Sequence, residues 1–181
     1  MFVTDGDSKA IQAVKNAARH LQLGVVVSSP PLAKMTGQIN RQPFSRVVVL
    51  FDDYGSHEIG VGEELMQQLS EDPRYEIIGA LAVASTAHQY DWTHVDVSID
   101  RFGEITQYGV DKEGWTELEV QRIKGDTTSV LDQLSIPLIV GIGDLGKMGR
   151  RDDPVFGSEI TLKALQFVLE REGIRSEQSG R

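Results

Sequence analysis

Ile136-Pro137-Leu138-Ile139-Val140-Gly141-Ile142-Gly143-Asp144-Leu145-Gly146-Lys147 reads as a buried strand running straight into glycines, an aspartate and a lysine. In open α/β sheets, ligands settle in the crevice outside the carboxyl ends of the strands, where glycine lets backbone amides approach closely. Two other segments end in the same manner. Val3-Thr4 leads into Asp5-Gly6-Asp7, and Val47 to Phe51 leads into Asp52-Asp53-Tyr54-Gly55. If the three strands are neighbours, one rim of the sheet gathers Asp5, Asp7, Asp52, Asp53 and Asp144.

The segments between these strands indicate the fold class. Ile11, Val14, Ala17, Ala18 and Leu21 stand at helical spacing behind Asp7 or Ser8 as cap. A short strand from Val25 to Val27 follows. From Ser28 to Ser45, Pro30-Pro31, Gly37 and Pro43 predict a long loop holding at most one helical turn. A helix is predicted near Val61 to Ser70, stopped by Asp72-Pro73, and Tyr75 to Ser85 has the near-continuous apolar run of a strand covered on both faces. This alternation predicts an α/β fold with a mostly parallel, doubly wound sheet in three α/β/α layers.

Between about residues 92 and 123 the pattern changes to short extended runs, Val95 to Ser98, Glu104 to Val110 and Trp115 to Ile123. With Asp111-Lys112-Glu113-Gly114 as a hairpin turn, they predict a small antiparallel β insert, for which Trp92, Phe102, Tyr108 and Trp115 are expected as hydrophobic filling in preference to an exposed protein-binding patch. Gly125-Asp126-Thr127-Thr128 is expected to cap a helix to Leu134. Ser158 to Arg171 is the closing helix, with Gly173 past its end. The expected organisation is a single α/β domain over residues 1–172 and a flexible tail over 173–181.

The 181 residues include 18 basic and 27 acidic side chains, a net charge of −9 that argues against an electrostatic grip on nucleic acid or anionic lipid. The absence of cysteine excludes disulfides, thiol nucleophiles and cysteine metal sites. The longest apolar runs, Val47 to Phe51 and Ile77 to Ala84, fall far short of the roughly 20 residues that span a bilayer, so any membrane association is expected to be peripheral. No secretory signal pattern opens the sequence, and synthesis in the cytoplasm is expected.

Gly141-x-Gly143-x-x-Gly146 matches the dinucleotide fingerprint letter for letter, but Met148 to Pro154 does not continue as the helix which that fingerprint requires. Met148 also stands where a phosphate-binding loop needs Ser or Thr. The strand-end aspartates suit a hard divalent cation, with Asp5, Asp52 and Asp144 as ligands if a metal binds at all. Asp7 as a helix cap and Asp52-Asp53 as turn residues are the plainer readings. The four histidines show no ligand spacing, and no Gly-x-Ser-x-Gly elbow is present. Asp96, Ser98 and Asp100 fall on one face of an extended run beside Arg101, where an Asp96 or Asp100 pair with Arg101 is expected to add little stability.

In their order along the chain, several segments resemble the stage V sporulation protein AE family. They are Val3-Thr4-Asp5-Gly6-Asp7, Phe51-Asp52-Asp53, Ala82 to Gln89, Asp96 to Glu104, Tyr108 to Lys112, Gly125-Asp126-Thr127 and Ile139 to Met148. The resemblance implies a non-enzymatic, soluble protein without cofactor, made in the cytoplasm of the developing spore and peripheral at the spore inner membrane. It implies membrane-embedded partners of the same sporulation complex, and a role in dipicolinic acid uptake during sporulation and release during germination. Homo-oligomerisation stays open, and no catalytic residues are carried over. The candidate ligand-binding or partner-binding residues are Asp5, Asp7, Asp52, Asp53, Asp96, Asp100, Arg101, Gly141, Gly143, Asp144 and Lys147. The alternative is a Mg²⁺-dependent phosphate-handling enzyme that uses the strand-end aspartates.

Overall fold

The computed structural model of the chain describes residues 1–51, 60–85, 92–125 and 127–179. In chain order the elements are β1 (Phe2–Val3), α1 (Ser8–Leu21), β2 (Gly24–Val27), α2 (Leu32–Asn40), β3 (Val47–Leu50), α3 (Val61–Ser70) and β4 (Ala80–Val83). Then come β5 (Thr93–His94), β6 (Val97–Ile99), β7 (Ile105–Thr106), β8 (Tyr108–Val110), β9 (Thr116–Val120), β10 (Arg122–Ile123), β11 (Ile139–Ile142) and α4 (Glu159–Ser179). Seven strands form one sheet in the order β2-β3-β1-β4-β11-β6-β7, parallel except for β7.

Alternation along the central strands sorts side chains to two faces, as a sheet covered on both sides requires. Val3, Val48, Leu50, Leu81, Val83 and Val140 pack with α1 and α4 through Val14, Ala17, Leu165 and Val168. Phe2, Val49, Phe51, Ala80, Ala82 and Ile139 pack instead with α2 and α3 through Met35, Ile39, Leu65 and Met66. The result is the predicted α/β fold, mostly parallel, with helices on both faces and two small antiparallel pairs, β10-β5 and β8-β9.

Several local expectations are corrected. Residues 28–45 hold a real helix, α2, because Met35 and Ile39 reach the core and outweigh Gly37. Val97–Ile99 is not part of a separate insert. It joins the main sheet in parallel beside β11, and only β7 at the edge turns antiparallel. After Gly125 the chain makes a 3-10 turn over Ser129–Gln133 rather than an α-helix, with Thr127 in the left-handed region at φ 58°. The last helix does not stop at Arg171 but continues through Gly173 to Ser179.

The segment from Gly141 to Thr161 positions the rim. Asp152, fully buried, accepts hydrogen bonds from Gly146 N (2.8 Å), Ile160 N (3.0 Å), Thr161 N (2.8 Å) and Thr161 Oγ1 (2.5 Å). One carboxylate thereby binds the glycine loop to the start of α4. Asp152→Ala strands these buried donors and is expected to cost about 3–5 kcal/mol, measured by denaturant unfolding. At Gly143 the constraint is space rather than a left-handed backbone, for a Cβ there would lie 2.8 Å from Gly114 N and 2.9 Å from Met148 Cγ. Gly143→Val should therefore cost about 1–3 kcal/mol, and an unchanged melting temperature would count against this packing.

Candidate functional site

Parallel pairing of β1 and β11 with β4 sends the ends of β1 and β11 to one rim, and β3 points the same way. Asp5 and Asp7 follow β1, and Asp144 follows β11. One carboxylate oxygen from each of the three lies within 4.8 Å of the other two. Lys147 Nζ sits between two of them, 2.7 Å from Asp7 Oδ2 and 3.0 Å from Asp144 Oδ2. Asp7 also caps α1, its Oδ1 accepting from Lys9 N and Ala10 N at 2.8 Å each, and Asp5 Oδ1 accepts from Asp7 N at 3.0 Å.

These groups open into a cleft of about 350 Å³, lined also by Thr4, Ser85, Lys112 and Thr127. Its electrostatics are uneven. Burial, with the charges of Asp7 and Asp144, pushes Asp5 up to about 7. Burial likewise raises Asp144, against the pull of Lys147. Asp7 is partly desolvated too, but Lys147 and the amides of Ala10 and Lys9 outweigh this and hold it below the usual carboxylate range. Burial disfavours the Lys147 ammonium, yet its bonds to Asp7 and Asp144 prevail and raise it above its ordinary value. Near neutral pH the site holds a partly protonated Asp5 beside an ion-paired Asp7-Lys147-Asp144 group.

The other candidates lie elsewhere. Asp52 and Asp53 fall outside the described residues, so the rim is defined here by Asp5, Asp7 and Asp144. Asp96 stands at the opposite end of β6, where its Oδ2 accepts from Ile139 N at 2.7 Å and ties down the start of β11. Asp100 closes a turn by accepting from Phe102 N (2.8 Å) and Glu104 N (2.9 Å). Arg101 does not pair with Asp96 or Asp100. Its guanidinium lies 4.2 Å over the Trp115 ring, and its backbone N–H donates to Gly114 O at 2.8 Å. Gly141 gives β6 room, since a Cβ would come within 2.6 Å of Ser98 Oγ. The fingerprint glycines therefore serve packing, and no α-helix begins at them.

Of the lining residues that the sequence did not single out, Ser85 and Lys112 escaped for different reasons. Ser85 follows β4, and the strand-end rule applied to the other three strands would have found it. Lys112 comes from the hairpin turn and reaches the rim only because Asp144 N donates to Lys112 O at 2.8 Å. No local pattern encodes that contact.

The fold and the strand-end site define an α/β protein with an acidic, lysine-bridged rim. The family model for stage V sporulation protein AE1 matches residues 1–172, and the chain belongs to that family. No curated protein and no solved structure matches it.

Asp5 sets a testable pH dependence. Its folded-state pKa near 7 lies above the ordinary 3.8, so between these values the folded chain holds a proton that the unfolded chain has released. Stability from this group therefore falls as pH rises through that window and is level above it. Asp5→Asn is expected to raise the melting temperature at pH 8 and leave it nearly unchanged at pH 4; equal shifts at both would show that Asp5 ionises freely.

Proposed function

We propose that this sporulation protein is a non-catalytic, soluble subunit of a spore inner-membrane complex that moves dipicolinic acid inward during sporulation and outward during germination. It attaches peripherally, through membrane-embedded proteins encoded beside it. No helix among the described residues is long and apolar enough to cross a membrane, which fits attachment through partners. The observation that carries the non-catalytic reading is Lys147, whose ammonium lies 2.7 and 3.0 Å from Asp7 and Asp144. It supplies from within the chain the positive charge that a phosphate-handling enzyme takes from Mg²⁺.

A second reading, the Mg²⁺-dependent enzyme, draws on the convergence of Asp5, Asp7 and Asp144 within 4.8 Å. Calorimetry separates the two. The wild-type chain is expected to give no heat with millimolar Mg²⁺ and no turnover of aryl phosphates or nucleotides. Lys147→Met, which leaves the carboxylates without their counter-charge, should gain measurable divalent-cation affinity. Robust Mg²⁺-dependent turnover in the wild type, lost in Asp144→Asn, would falsify the non-catalytic reading. In spores, loss of the chain should lower dipicolinic acid content and slow its release; normal content and release would refute the transport role.

A further inference from the structure

The β8–β9 hairpin exposes what the rest of the chain buries. Leu118 is 90% exposed, Val120 53%, Trp115 and Phe102 51% each, and Tyr108 48%. Phe102, Tyr108 and Trp115 were expected to fill the insert, but the hairpin has too little covering it to take them in. They form neighbouring contacts instead: the Phe102 and Trp115 rings meet edge to face at 5.7 Å, and Tyr108 pairs across the hairpin with Val120. Arg101 over Trp115 and Arg151 over Phe102 hold the two rings. Single exposed apolar residues are ordinary, whereas several gathered on one hairpin mark an interaction surface.

Charge narrows the occupant. On the hairpin itself Asp111 and Glu113 stand in the turn, and Glu117 and Glu119 flank Leu118 in sequence on β9, against Lys112 in the turn and Arg101 and Arg151 at the two rings. Burial, with the charges of Glu119 and Asp111, raises the Glu117 carboxyl against the pull of Lys124. An anionic bilayer is repelled by such a surface, and a second copy would bring like charges together. Strand addition is disfavoured as well. Tyr108 pairs with Val120 and Val110 with Thr116, so Gly109 faces the three residues from Glu117 to Glu119, and this bulge breaks the regular edge that an incoming strand needs.

We propose that this hairpin docks a Lys- and Arg-rich loop of a membrane-embedded partner, with Leu118 and Trp115 against the aliphatic parts of the loop and Glu117 and Glu119 paired with its cations. Short cytoplasmic loops of membrane proteins carry an excess of Lys and Arg, which is the complementary chemistry. The proposal rests on the reading of the chain as a subunit of a membrane complex, and names the surface that it uses.

The test measures binding of a labelled peptide of alternating leucine and lysine to the full chain by fluorescence anisotropy. The variants are Leu118→Ser, the double variant Glu117→Lys with Glu119→Lys, and a control, Glu71→Lys with Glu170→Lys, that makes the same charge change elsewhere. Both hairpin variants should weaken binding about tenfold, and the control less than about twofold, with unchanged melting temperatures. Leu118→Ser keeps the test decisive if the double variant folds poorly, because Leu118 packs against almost nothing. Equal weakening by the control, absence of wild-type binding, or Leu118-dependent binding to phosphatidylglycerol vesicles overturns the proposal. Co-purification with the membrane-embedded proteins encoded beside this chain separates the two levels: retention by wild type and hairpin variants alike discards the surface and keeps the subunit reading, and failure of the wild type discards both.

Discussion

Three carboxylates meet at the rim because β1 and β11 flank β4 in the same direction, and Lys147 makes that meeting tolerable. Two ionised carboxylates about 5 Å apart repel by about 3 to 4 kcal/mol at an effective dielectric of about 20, too much to leave three charges uncompensated. The chain relieves this in two ways. Lys147 pairs with Asp7 and Asp144, and the more buried Asp5 shifts toward neutrality. With Asp5 protonated, the Lys147 ammonium against the two ionised carboxylates leaves about one negative charge. Lys147 thus supplies from within the chain part of the counter-charge that other carboxylate clusters take from a bound cation.

The same loop explains why so much of the layout could be read from the sequence. Burial on both faces forces near-continuous apolar strands, and a glycine or aspartate after each marks the rim. The direction of the strands and the layers follow from that pattern, and the convergence of Asp5, Asp7 and Asp144 follows once β1 and β11 are placed on either side of β4. What escaped reading depends on contacts distant in sequence. Met35 and Ile39 make α2 helical through core packing that outweighs Gly37 and the neighbouring prolines. Val97–Ile99 joins the main sheet because its backbone finds β11, a pairing that alternation of residues does not specify. Asp152 looked like one polar residue in a run unfit for a helix, yet it is the buried acceptor that holds the loop and the last helix together.

The candidates around Asp96 to Arg101 illustrate the opposite error, in which local charge density resembles a site. Asp96 and Asp100 lie two positions from Ser98 on either side, so alternation places them on one face, but a strand carries them to its two ends. Each accepts backbone N–H groups there, Asp96 from Ile139 and Asp100 from Phe102 and Glu104. Their charge serves hydrogen-bond acceptance in turns and strand starts. The Arg101 guanidinium lies over the ring of Trp115, while its backbone N–H donates to Gly114 O.

The hairpin is fixed at its tip and exposed along its body, and this division follows from where its backbone bonds run. Lys112 O accepts from Asp144 N, Gly114 O accepts from Arg101 N, and Gly114 N packs against Gly143 so closely that no side chain fits between them. The turn is thus part of the rim. Beyond it, β9 pairs only with β8 among the described residues, and its bulge turns Leu118 away from the core. A rigid turn seated on the acidic cleft, continuous with an apolar strand flanked by glutamates, presents a preorganised surface whose side chains lose little freedom on contact. The energetic cost of exposing Leu118 and Trp115 in the free chain is recovered only when something apolar covers them. That is the physical reason the proposed docking surface is the hairpin rather than the lysine-compensated cleft.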